Sequence, residues 1–168
     1  MKSQMSAVER ALAGLPGIEG YKEKELRREA DRRVRETLAQ LLEDQRARLT
    51  GIQLDLLGSG GLDWMDDLER AIGKLQLLID RVRSATYGYA GFFDANKVRE
   101  AELEALIQFD RGMIQRVDEL REKIDAVEQA VMDQEHIETA VRDLVRLLSE
   151  LNQQWRHRRE VMQSVVIG

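Results

Sequence analysis

The feature that most constrains this chain is the spacing of its apolar residues, which recur at steps of three and four through four separate segments. From Tyr21 to Leu57 the stripe runs Leu26, Ala30, Val34, Leu38, Leu41, Leu49, Ile52 and Leu56, with Gln45 filling one step. From Asp63 to Thr86 it runs Met65, Leu68, Ile72, Leu75, Ile79 and Val82. From Asp94 to Val131 it is Val98, Glu102, Ala105, Phe109, Met113, Val117, Leu120, Ile124, Val127 and Val131, so the charged Glu102 predicts a partly exposed start. From Ile137 to Val165 it is Ile137, Val141, Leu144, Leu148, Leu151, Trp155, Met162 and Val165, with Arg158 in the gap. Such spacing lays one apolar face along an α-helix and suits no strand, whose side chains alternate with period two. The first segment alone would be a helix about 55 Å long.

Composition supports the same class. Ala, Leu, Glu, Lys and Arg make up 81 of 168 residues, close to the half expected of coiled coils and long helices. There is one proline and no cysteine, which removes disulfides, thiolate metal sites and a cysteine nucleophile together. The net charge of -5 disfavours nucleic acid as a partner, since duplex-binding domains are basic. Met1 to Gly14 carries Glu9 and Arg10 and does not read as a signal peptide. The longest uncharged stretch, Ser84 to Phe93, is half the roughly twenty residues that a membrane-crossing helix needs. These features predict a soluble or peripheral, cytoplasmic protein.

Eight of the twelve glycines mark the breaks between helices. They are Gly14, Gly17 and Gly20 around Pro16, then Gly58, Gly60 and Gly61, then Gly88 and Gly91. Asp63 and Asp94 are expected to cap the second and third helices, and Gly73 to permit close approach of a neighbour. No glycine or proline lies between Gly112 and Gly168, yet the stripe changes phase between Met132 and His136. Either a tight turn sits there with Asp133 as N-cap, or one helix of about 70 residues carries a stammer. The turn is the reading adopted, because so long a helix would lack partners within the chain. The predicted fold is all-α: an antiparallel bundle of four long helices over residues 21–168, preceded by a short amphipathic segment and Gly/Pro linker over 1–20.

Catalytic and metal-binding patterns are weak. The glycine turn Leu57 to Asp63 follows a helix rather than a strand, and Asp63, Asp66 and Asp67 would repel a phosphate. The two histidines, His136 and His157, supply one Asp-x-x-His and no second pair for a di-iron site. No serine sits in a nucleophile elbow. The expectation is therefore a non-enzymatic protein with no metal and no cofactor.

Two local signals stand out. Four of the eight aromatics, Tyr87, Tyr89, Phe92 and Phe93, fall in one connector and are the candidates for partner binding. An aromatic connector folds back to plug the helix ends, docks a partner, or dips into lipid. The tail Trp155, Arg156, His157, Arg158 and Arg159 sets arginines beside apolar residues. It either completes the last helix or, through Trp155, Arg156, Arg158 and Arg159, forms an interfacial face for an anionic membrane. The arginines and acids between Lys22 and Arg35 read as a salt-bridged, solvated face. The short helix with Val8, Ala11, Leu12 and Leu15 suits a membrane foot or docking on the helices that follow.

The run Gly14 to Tyr21 leading into Glu25 to Asp31, together with Tyr87 to Gly91, resembles small bacterial helical proteins without assigned function. The layout, a short amphipathic start before long charged helices, is similar in character to phage-shock-protein-A-like membrane-stress scaffolds. This chain is shorter, its second helix is too short for that family's long hairpin, and its glycine-aromatic connector departs from it. The first expectation is an interaction or scaffold protein that self-associates and docks a protein partner. The others are a peripheral scaffold on an anionic membrane surface, and a ligand-holding bundle with its pocket under Tyr87, Tyr89, Phe92 and Phe93.

Overall fold

The computed structural model describes residues 5–15, 24–58, 62–85, 96–158 and 160–161, and the described chain is all helical. The helices are α1 (Ala7–Ala13), α2 (Lys24–Gly58), α3 (Met65–Ser84), α4 (Asn96–Asp133) and α5 (Ile137–Arg156), with a 3₁₀ turn at Leu62–Trp64 before α3. The predicted stripes point inward, although their centre lines shift by a residue in places. In α3 the buried set is Leu68, Ala71, Leu75, Leu78, Ile79 and Val82, while Met65 and Ile72 are half-buried. In α5 it is Val141, Leu144, Leu147, Leu148, Leu151, Asn152 and Trp155. Each fully buried leucine or isoleucine contributes about 1.5–3 kcal/mol, and this shared interior holds the helices together.

Packing follows two hairpins laid side by side. Helix α2 packs on α3, α4 packs on α5, and the hairpins meet through α2 with α4 and α3 with α5. Within the first hairpin, Arg35 Nη1 donates to the carbonyl of Ala85 and Arg83 lies 3.7 Å from Glu43. Between hairpins, Arg48 reaches Asp125 and, at 3.5 Å, Glu128, while Arg158 joins Asp31 to Asp110. The later residue of α2 therefore meets the later residue of α4, and these two helices run in the same direction. The expected antiparallel relation holds inside each hairpin and does not extend to the contact between them. A buried Asn152 joins α5 to α3, donating from Nδ2 to the Lys74 carbonyl at 2.9 Å and accepting from Arg81 at 3.2 Å.

Local chemistry explains the boundaries. Helix α1 starts in a capping box: the Ser6 hydroxyl accepts from the Glu9 amide at 3.0 Å, and Glu9 accepts from the Ser6 amide at 2.8 Å. Rather than standing apart, α1 packs on α4 and buries Val8. The phase break near Met132 is a turn, as adopted, but Asp133 closes α4 and does not cap α5. The Gln134 amide donates to Val131 and the Glu135 amide to Ala130, with Gln134 at φ 55° and His136 at φ 58°. That is a Schellman ending built without the usual glycine.

Three smaller expectations are also corrected. Asp63 lies in the 3₁₀ turn, and the N-cap of α3 is Trp64, which makes no side-chain cap. Gly73 is exposed, and a Cβ there would meet nothing within 4 Å. Glu102 is 1% exposed, so this part of α4 is interior. Asp94 lies outside the described residues.

Candidate functional site: a buried ionic cluster

The most distinctive side-chain constellation gathers three chain segments, the first halves of α2 and α4 and the residues just past α5. Asp31 from α2 and Asp110 from α4 are completely buried, and Arg158, just past the end of α5, is 6% exposed. The Arg158 guanidinium grips Asp110 with two 2.9 Å bonds, from Nε to Oδ1 and from Nη2 to Oδ2, and reaches Asp31 Oδ1 at 3.4 Å. Arg35, one helical turn beyond Asp31, donates to Asp31 Oδ2 at 3.3 Å. Trp155 lies under Arg158, with the guanidinium carbon 5.0 Å from the ring centre, and Phe109 meets that ring at 6.0 Å. Two carboxylates thus face two guanidiniums in an interior lined by aromatic rings.

Burial opposes ionisation here. Asp110 is pushed up to about 6 by desolvation, against the hydrogen bonds and charge of Arg158, and the charge of Asp31 adds to the rise. Asp31 is also raised by burial, with Arg35 and Arg158 acting in the opposite direction. Guanidinium does not deprotonate in proteins, so the carboxylates are the groups that titrate. Chemically the cluster offers two carboxylates on which burial favours a proton, and its bonds tie α2, α4 and the residues after α5 to one another.

Arg35 also faces solvent across a cleft between α2 and α3. This cleft, about 520 Å³, is lined by Arg32, Arg35, Glu36, Ala39, Gln40, Val82 and Arg83. Its cations already have partners: Arg32 bonds Glu36 at 2.9 Å, and Arg83 lies 3.7 Å from Glu43. Among the described residues no group of three or more His, Asp or Glu side chains is arranged to hold a metal ion. Nor is any described helix long and apolar enough to cross a membrane.

The structure disperses the residues nominated from sequence. Trp155 and Arg158 turn inward into the cluster and present no outer face, whereas Arg156 is exposed. Arg159 and the aromatic candidates Tyr87, Tyr89, Phe92 and Phe93 lie outside the described residues. Asp31 and Asp110 were missed. The available signal was Arg158 itself, a cation at an apolar-stripe position, which demands a buried acid on a neighbouring helix.

No family model matches the sequence, and no significant similarity links it to a curated protein or a solved structure. The functional reading therefore rests on geometry.

Proposed function

We propose that this chain is a non-enzymatic helical scaffold, a coiled-coil-like bundle of four long helices with a short N-terminal helix, that self-associates and docks a protein partner. The observation that supports it is an apolar end. Leu54 is 63% exposed and Met132 71% exposed, near the ends of α2 and α4, and Leu57 is exposed one turn beyond Leu54. The pairs from Arg48 to Asp125 and Glu128 put these ends of α2 and α4 at the same end of the molecule. Large apolar side chains left in water while the interior is filled with leucine, isoleucine and valine are material for association.

Scattering-derived mass tests the reading. A scaffold exceeds the 19.3 kDa of one chain increasingly with concentration. A mass fixed at one chain up to about millimolar concentration, where even weak specific association registers, removes self-association. For the docking end, Leu54→Ser with Leu57→Ser and Met132→Ser leaves the melting transition in place, because exposed substitutions cost within about 0.5 kcal/mol each. The same variant loses association beyond the smallest oligomer; unchanged higher-order association refutes the assignment of this end.

A further inference from the structure

Helix α1 is a small, self-contained unit seated on a much larger one. It spans seven residues, closes its own N-terminus with the Ser6–Glu9 capping box, and ends at Gly14, whose amide donates to the Arg10 carbonyl at 3.1 Å. Isolated helices below about 12–15 residues are marginal in water, so α1 is helical because its seat on α4 holds it. Within the helix Val8 and Leu12, one turn apart, face the interior, and Leu15 follows just past the Gly14 cap: Val8 is 3% exposed, and the two leucines pack partly buried against the common core. Glu9 and Arg10 remain exposed. Eight residues, 16–23, separate this unit from α2, and they include Pro16, Gly17 and Gly20. Fully extended, such a segment reaches no more than about 28 Å.

The seat thus fits a short amphipathic helix with two apolar anchors and a third just beyond its end, and every copy of the chain carries both seat and occupant. We propose that α1 is an exchangeable arm: α1 of one copy docks on α4 of a second copy, and the second copy returns its own arm to the first. This deepens the self-association reading and rests on it. The closed monomer and the exchanged dimer bury the same Val8, Leu12 and Leu15 against the same surface, so the balance between them is set by the entropy of the connecting segment and by concentration. The capping box travels with the arm, so exchange leaves no new unsatisfied amide at the start of α1.

Light-scattering mass on the full chain, with circular dichroism alongside, tests the proposal through two variants that move in opposite directions. Val8→Asp with Leu12→Asp places charges on the seated face and should leave a helical monomer at concentrations where the natural chain is dimeric. Deleting Gly17 to Gly20 halves the connection, and short hinge segments favour exchange over return to the same chain, so the deletion should lower the concentration of half-dimerisation at least about tenfold. A synthetic peptide of residues 5–15, added in excess, should dissolve the dimer by occupying both seats.

If the aspartate variant keeps the natural chain's mass, exchange is wrong, and self-association stands through another surface. If the natural and shortened chains are both monomeric throughout, exchange and self-association fall together. Should the aspartates unfold the protein, the shortened chain decides: tighter dimers support the arm, and unchanged mass overturns it.

Discussion

Arg158 is the residue on which the burial cost of the cluster converges, because it bonds both Asp31 and Asp110. Arg158→Met removes the guanidinium and leaves Asp110 without that bidentate partner, while Asp31 keeps its bond from Arg35. Breaking a buried ion network from one side costs about 3–5 kcal/mol, and urea denaturation at pH 7 should show a loss of that size. A loss below 1 kcal/mol means that water reaches the cluster. Asp110 gives a second prediction, whose sign follows from linkage. Its folded value, about 6, lies above the ordinary 3.8, so its contribution to stability is fully present below about pH 4 and is lost as pH rises through 6. Asp110→Asn abolishes that titration. The stability of the natural chain relative to this variant should therefore fall by about 2 kcal/mol between pH 4 and pH 7, at 1.36 kcal/mol per unit. A difference that is flat or rises with pH contradicts the burial-driven shift. At this scale the sequence was half legible: Arg158 stood visibly in an apolar stripe, but Asp31 and Asp110 look like ordinary helix-surface acids until the helices are packed.

Element boundaries show what periodicity reads and what it misses. The four apolar stripes located α2 to α5 because burial dictates their spacing, whereas the caps at Asp63 and Asp133 were misassigned because a 3₁₀ turn and a Schellman ending took their places. The turn after α4 has no glycine to announce it; only the change of stripe phase did. Gln134 there sits at φ 55°, where a side chain crowds its own backbone and glycine does not. Its side chain is exposed, so little packing is lost on removing it. Gln134→Gly should stabilise the protein by about 0.5–1 kcal/mol, the steric relief exceeding the entropy that glycine adds to the unfolded chain. The denaturant midpoint should rise without a change in slope; a fall would mean that the exposed Gln134 side chain makes a compensating contact.

At the level of the whole molecule, the direction of α2 against α4 separates this architecture from a bundle in which every neighbour is antiparallel. Sequence periodicity cannot distinguish the two, since a stripe buries equally well against a parallel or an antiparallel partner; the choice is made by polar pairs between particular residues. Those pairs are Arg48 with Asp125 and Glu128, the Arg158 bridge from Asp31 to Asp110, and Asn152 against α3. The natural chain has no cysteine, so paired substitutions report helix direction without background. Arg48→Cys with Asp125→Cys should be joined by a short bis-maleimide in dilute protein. Arg48→Cys with Arg111→Cys should not, because Arg111 lies fourteen positions earlier on α4, about 21 Å along the axis at 1.5 Å per residue. Antiparallel contact would reverse the two results, since pairing Asp31 with the Asp125 level would bring Arg48 to the Asp110 level. The substituted Arg48 pair is partly solvent-exposed and is worth about 1 kcal/mol at most, so the Arg48–Asp125 variant retains the fold, and circular dichroism of the Arg111 variant checks that it does the same.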